Sequence, residues 1–534
     1  MEKKYFGVMV DCSRNAVLHI EGVKRLIDYL QKIGYNMLML YTEDTYEVDG
    51  QPLFGYLRGR YSKKELKEIV AYGEAHDVEL VPCIQTLAHL NQLFKWDAYK
   101  DVNDCDDILL VGEEKTYALI DNMICTLREC FHSELIHVGM DEAHNLGNGN
   151  YKKLHGVQDH FQILKNHLDR VTAIVEKYQF KPIIWSDMFF SLATKDAFYY
   201  IENPEIITPE IANIVPEGLS LTYWDYYADD KSRYDNMLSA HLHFNNPIWF
   251  AGGAWTWAGF TPHNRVSIDR TRKAMQSCRE NNINNIFLTC WGDNGGESTV
   301  FSVLPTLFYA AEIYRGNEDD AAIQKKFEEL FGIRFDDFMM LDLPAAPSAE
   351  FFKRCDSIDV SLLYADPFLG WMDPTIKKNL PDSEETYEKY AAMLKPLENH
   401  ETFGYQYRAA SALCSLLAVK STLGIRTREA YGSGDHKALE QVVRKYKTAE
   451  ERVEAFYDAY RVAWYHDKKG SGFEVQDIRL GGLIRRLANC RARLEAYLAG
   501  ELIAIDELEE KQVDVSFTYW PRWSGSSSVN NIGM

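Results

Sequence analysis

The strongest constraint on this chain is a rhythm in its first 315 residues. Short apolar runs at Phe6–Asp11, Met37–Tyr41, Glu79–Ile84, Leu135–Val138, Pro182–Trp185, Ser220–Tyr223, Pro247–Phe250 and Ile286–Thr289 alternate with amphipathic stretches. Within the runs apolar residues are nearly continuous, the pattern of strands covered on both faces. Between them, Leu18–Ile33, Lys63–His76, Thr116–Phe131, Phe161–Tyr178 and Ile268–Asn281 carry the helical repeat, and Ser62 with Glu65 offers the second of these a capping box. Strands joined through helices run parallel. Eight such units predict a closed (β/α)8 barrel, with a doubly wound sheet as the alternative. No glycine-rich phosphate loop follows the first run, which weighs against the nucleotide-binding form of that alternative.

From Gly316 onward the strand-like runs stop. Ala321–Phe331, Glu384–Leu397, Tyr405–Gly424, His436–Tyr465 and Gln476–Leu502 read as helices. The expected organisation is therefore a barrel over 1–315 and an all-α domain over 316–534. The end of the latter, Phe517–Met534, is an aromatic and Ser/Gly-rich tail that either docks or stays disordered. With 58 Lys+Arg against 79 Asp+Glu the net charge is −21. Nucleic-acid backbones and anionic membrane surfaces repel such a chain, so neither is an expected partner. No run approaches a membrane span, and the N-terminus enters a strand without a signal core. Ten scattered cysteines with no CxxC pair suggest free thiols and a cytoplasmic location. The helical region is expected either to pack against the barrel or to form the face of a homodimer.

A barrel gathers its chemistry at the C-terminal ends of its strands. Those ends carry Asp11 and Arg14; Glu43 and Asp44; Gln85 and His89; His137, Asp141 and Glu142; Trp185 and Asp187; Tyr223 to Tyr227; Trp255 and Trp257; and Trp291, Asp293 and Glu297. Carboxylates, one arginine and several large aromatic rings at one mouth describe a carbohydrate pocket, since flat rings stack on sugar faces. Asp141-Glu142 is the sharpest element. Two adjacent, partly desolvated carboxyls cannot both ionise comfortably, so one becomes a proton donor and the other a charged stabiliser. Elsewhere an adjacent Asp-Glu is commonly a solvated loop; here Gly139 permits a tight turn after the strand and His137 anchors it.

The segment His137-Val-Gly-Met-Asp141-Glu142 resembles the H-x-G-x-D-E motif of glycoside hydrolase family 20, the β-N-acetylhexosaminidases, at all four fixed positions. The resemblance runs through the barrel, Tyr5 to Tyr314, and is most similar to bacterial members with no domain ahead of it. It implies a substrate-assisted retaining reaction, in which Glu142 is the acid and then the base, while Asp141 holds the acetamido N–H and its developing charge. It further implies that Arg14 binds ring hydroxyls and that Trp185 and Trp224 wall the acetamido pocket. Trp257 stands in the segment after the seventh strand. Trp291 with Asp293 would support the sugar face and accept from a hydroxyl, a duty Glu297 could share. Glu43 or Asp44 is the implied nearby acid, and His89 lies at the pocket rim.

Two positions depart from the family pattern. Gln85 replaces an aspartate that supports the residue equivalent to Asp141, and the seventh-strand segment has no tyrosine. Tyr227, ahead of Tyr226 and Tyr223, is then the expected hydroxyl for the acetamido oxygen. No cofactor is implied and no histidine spacing suggests a metal. The reading is an exo-β-N-acetylhexosaminidase acting on oligosaccharides or glycoconjugates, with terminal GlcNAc or GalNAc as substrate. Related lacto-N-biosidase-like or O-GlcNAc-removing enzymes, and a non-catalytic sugar binder, are its alternatives.

Overall fold

The computed structural model describes residues 3–194, 198–348, 350–353 and 356–513; the expected tail Phe517–Met534 lies outside them. Eight strands form in the order expected: β1 (Tyr5–Asp11), β2 (Met37–Thr42), β3 (Glu79–Ile84), β4 (Leu135–His137), β5 (Lys181–Trp185), β6 (Ser220–Trp224), β7 (Ile248–Gly253) and β8 (Asn285–Cys290). They run parallel in sequence order, and β1 pairs with β8 from Tyr5↔Asn285 to Val10↔Cys290 to close the barrel. Alternate residues of each strand point inward. Met9, Met37, Met39, Tyr41, Val81, Cys83, Ile183, Trp185, Trp249 and Phe287 therefore fill the interior as one buried cluster. The barrel interior is a packed core.

Helices follow the predicted stretches, among them α1 (Ile20–Ile33), α2 (Lys63–Ala75), α3 (Glu114–Cys130), α4 (His160–Lys177) and α5 (Asn264–Glu280). The capping box forms: Ser62 accepts from the Glu65 amide while Glu65 accepts from the Ser62 amide. A hairpin pairing Asn103–Cys105 with Ile108–Leu109, between β3 and α3, was not foreseen. Its strands are too short to carry a period.

The chain divides into two compact units. The first comprises residues up to Ala254, Ser267–Gly292 and Thr306–Lys326; the second comprises Trp255–Val266, Asp293–Pro305 and Phe327 onward. The segments Trp255–Val266 and Asp293–Pro305, which follow β7 and β8, belong to the same unit as the residues from Phe327 onward. The second unit contains α6 (Ser383–Leu394), α7 (Gly404–Lys420), α8 (Leu423–Gly432), α9 (His436–Asp467) and α10 (Phe473–Leu498). Here the hydropathy reading needs correction. Gly404–Gly432 is long and apolar enough to cross a membrane, and 67% of its most apolar window is buried inside the protein. Within its unit α7 packs between α6 and α9, which explains that burial.

Candidate active site

Asp11 ends β1 and shapes the first corner of the barrel mouth. Its Oδ1 accepts from the Ser13 amide and hydroxyl, each at 2.8 Å; its Oδ2 accepts from Arg14 Nη1 at 3.1 Å and from the Gly292 amide at 2.9 Å. This aims the Arg14 guanidinium over Trp291, 4.8 Å from its ring centroid, and 5.3 Å from that of Tyr41. Glu43 lies 3.6 Å from Arg14 and accepts from the Tyr41 hydroxyl at 3.2 Å. Burial pushes Glu43 up to about 7, although Arg14 opposes it. Asp44 instead pairs with Arg58 at 2.8 Å, so of the two acids only Glu43 meets the arginine.

Asp141 is 7% exposed and held from two sides. Gln85 Nε2 donates to Oδ1 at 2.6 Å, and His89 Nε2 lies 3.1 Å from Oδ2. Burial works against the anion, but the His89 charge and hydrogen bond and the Gln85 hydrogen bond outweigh it and hold Asp141 at about 2. Burial likewise disfavours charge on His89; Asp141 overrides it and brings the imidazole to about 9. Both Nε2 protons of Gln85 are used, because Nε2 also donates to Tyr41 at 2.9 Å, and its Oε1 accepts from the Met140 amide at 3.1 Å. Glu142 follows in the chain with its side chain 47% exposed. Burial of its carboxyl first, and Asp141 second, raise its pKa. One carboxyl is thus kept ionised and its neighbour is biased towards its acid form.

The backbone that presents this pair is bent. Gly139, Met140 and Glu142 have φ of 74°, 73° and 50°, and His89 has 59°. Left-handed conformations at non-glycine residues store strain, and they cluster at functional sites. At Gly139 a Cβ would stand 2.0 Å from Gln85 Oε1. The Glu142 amide is held by Asp187 Oδ2 at 2.9 Å. Asp187 is 2% exposed, and burial followed by Asp141 pushes it up to about 8. Its place two residues past Trp185 was visible in the sequence, but nothing there indicated that it would reach Glu142. His137 accepts from the Gly139 amide at 3.2 Å and packs on Trp185 with centroids 4.5 Å apart. Burial depresses it to about 3, leaving a neutral structural ring.

The aromatic residues fall into two groups. Trp185 is buried beneath Trp291 at 6.1 Å, and Trp291 meets Tyr41 edge-on at 4.9 Å. Trp224 stacks with Tyr226 at 5.4 Å and touches Tyr199, a residue outside the expected set, at 4.8 Å. Tyr227 is the expected hydroxyl, ahead of Tyr226 and Tyr223. Tyr226 is 6% exposed and hydrogen-bonds with Trp291 and Thr289, whereas Tyr227 is 47% exposed. The physical cause is Asp225, whose Oδ1 accepts from the Tyr227 and Ala228 amides and turns the chain at this point.

Trp257, Asp293 and Glu297 belong to the second unit. Trp257 stacks on Trp255 with centroids 4.4 Å apart, and Asp293 is exposed. Glu297 is buried and accepts from Arg479 Nη1 at 3.1 Å and Gln476 Nε2 at 3.3 Å. One donor set, His89, Asp141 and Glu142, has atoms within 4.8 Å of one another. Within it, His89 Nε2 is taken up by Asp141 Oδ2 at 3.1 Å.

A barrel that keeps one carboxyl charged and the next poised to give up a proton, between flat aromatic walls, has the means for acid-assisted cleavage at a sugar ring. The class is that of the glycoside hydrolases. The family profile described as "Glycosyl hydrolase family 20, catalytic domain" matches residues 4–232, and that of the "Glycoside Hydrolase 20C C-terminal domain" matches 336–523. The chain belongs to glycoside hydrolase family 20.

It is 25% identical to Hexosaminidase D of Homo sapiens over 228 residues, 40% of this chain and 44% of that protein. It is 24% identical to Hexosaminidase D of Bos taurus over 228 residues, 40% of this chain and 62% of that protein. The chain spans about half the length of these relatives. Among solved structures it is similar to a GH20 exo-β-N-acetylglucosaminidase from Vibrio harveyi at a TM-score of 0.46 and 14% identity, covering 62% of this chain and 58% of that one. Another is the GH20 β-N-acetylhexosaminidase from Streptomyces coelicolor at 0.44 and 19%, covering 61% and 69%.

Proposed function

We propose that the protein is an exo-acting β-N-acetylhexosaminidase that releases terminal GlcNAc, or its C4 epimer GalNAc, by substrate-assisted retaining catalysis. The observation that carries this reading is the split pair: Asp141 is held ionised by His89 and Gln85 while Glu142 is raised. Glu142 protonates the departing glycosidic oxygen. The 2-acetamido oxygen of the substrate attacks C1, and the C1–O bond breaks. Asp141 accepts the acetamido N–H and balances the charge of the resulting oxazolinium ion. Glu142, now a carboxylate, takes a proton from water as the water opens that ring. Arg14 binds ring hydroxyls, and the Tyr226 hydroxyl meets the acetamido oxygen.

The test compares aryl β-GlcNAc with aryl β-glucoside and adds a thiazoline mimic of the bicyclic intermediate. Turnover of the amide-bearing substrate alone, with tight inhibition by the thiazoline, is expected. Equal hydrolysis of both glycosides, or no inhibition, sinks the mechanism.

A further inference from the structure

The chain leaving β6 carries a ladder of aromatic rings, all of them within the first unit. Trp224, half-buried, stacks on Tyr226 with the ring planes 25° apart. Tyr226, 6% exposed, meets Tyr227 with centroids 5.9 Å apart and planes at 58°. Tyr227 is the outer rung, and it is 47% exposed.

No loose loop holds this ring. Asp225, 1% exposed, gathers four donors. Its Oδ1 accepts from the Tyr227 amide at 2.9 Å and the Ala228 amide at 3.0 Å. Its Oδ2 accepts from the Tyr223 hydroxyl at 3.1 Å and pairs with Arg233 Nε at 2.9 Å. The Arg233 guanidinium in turn covers Tyr200, 3.7 Å from its centroid, and Tyr200 meets Trp224 edge-on at 5.7 Å. A buried carboxylate with each oxygen held twice fixes the Tyr227 backbone against the Trp224 wall. Half of a large ring left in water forgoes apolar burial. A fixed backbone that presents such a ring beside a sugar pocket suits a ring that a ligand covers.

An exo-acting enzyme takes one terminal sugar into its pocket. The part of the substrate that stays outside is therefore the sugar that departs. We infer that the Tyr227 ring is a platform on which this leaving sugar stacks, so that Tyr227 selects saccharide leaving groups over simple alkyl ones. This rests on the reading given under Proposed function. Tyr227 on this account touches the departing ring and takes no part in the chemistry at C1.

The experiment measures kcat/KM of the full chain and of Tyr227→Ala, Tyr227→Phe and Tyr227→Trp. The substrates are methyl β-GlcNAc and diacetylchitobiose, in which the leaving group is a second GlcNAc. In Tyr227→Ala the loss on the disaccharide is expected to exceed the loss on the methyl glycoside by roughly two- to tenfold, the scale of one aromatic contact. The Phe and Trp variants keep a flat face and should hold the wild-type ratio. Equal losses on both substrates, no loss on either, or a Phe variant that falls as far as Ala overturns the inference. So does a wild type that cleaves the methyl glycoside and not the disaccharide. A wild type that cleaves neither removes the reaction assignment instead. Calorimetric binding of diacetylchitobiose to the wild type and to Tyr227→Ala then decides the platform separately, and equal affinities overturn it.

Discussion

Asp141 and Glu142 are chain neighbours with opposite proton affinities, and the difference comes from what each one touches. Asp141 meets a cationic ring and an amide donor, whereas Glu142 meets Asp141 and a half-buried environment. His89 is therefore the residue whose removal should reach both. In His89→Asn the anion of Asp141 loses its counter-charge and Glu142 loses the charge that lowers its pKa. Both limbs of the kcat/KM profile should then move to higher pH, by about 1–3 units for a lost close opposite charge. An unmoved profile would show that His89 does not set the pair. Glu142→Gln should lower kcat on natural oligosaccharides by roughly 10²- to 10⁴-fold, the usual contribution of a positioned acid. The loss should be smaller on aryl glycosides, whose leaving groups need no proton.

At the scale of elements, β4 is short and its work is done by the loop that follows. The turn through Gly139, Met140, Asp141 and Glu142 exists because Gln85 accepts the Met140 amide and Asp187 accepts the Glu142 amide. Gly139→Ala should fail on two counts. Its φ of 74° is left-handed, and the new Cβ would meet Gln85 Oε1 at 2.0 Å and the Ile84 carbonyl at 2.9 Å. A stability loss of about 2–4 kcal/mol is expected from denaturant unfolding. Activity should fall further than stability explains, because the displaced group is the amide that holds Asp141. A variant as stable and active as the wild type would remove the turn from the argument.

For the whole molecule, buried carboxyls set how stability follows pH. Burial pushes Glu43 to about 7 and Asp187 to about 8 in the first unit, and Asp359 and Asp373 to about 7 in the second. Each folded value lies above the unfolded value near ~4. Their contribution is whole below that value and is lost as pH rises through the folded one. His89, raised to about 9, contributes fully below its unfolded value of ~6.5 and loses that contribution as pH rises through 9. Lys420 and Lys468, held down to about 8 by burial, act in the opposite sense only above that pH. The melting temperature should therefore fall between roughly pH 6.5 and 8. A rise over that window would contradict these assignments.

The sequence by itself determined the barrel and the motif that turns out of it. Continuous apolar runs and helical repeats are local patterns, and a parallel closed sheet is their simplest joint solution. The four fixed positions from His137 to Glu142 were likewise legible because they lie within six residues. Tertiary structure decided what depends on distant partners. Glu43 rather than Asp44 meets Arg14, because Arg58 claims the other acid. Tyr226 rather than Tyr227 turns inward, because Asp225 bends the chain. Glu297 is claimed by Arg479, 182 residues away. Asp187 reaches the Glu142 amide across 45 residues. Periodicity carries no information about such pairings, since they form only when the barrel closes and the helices assemble.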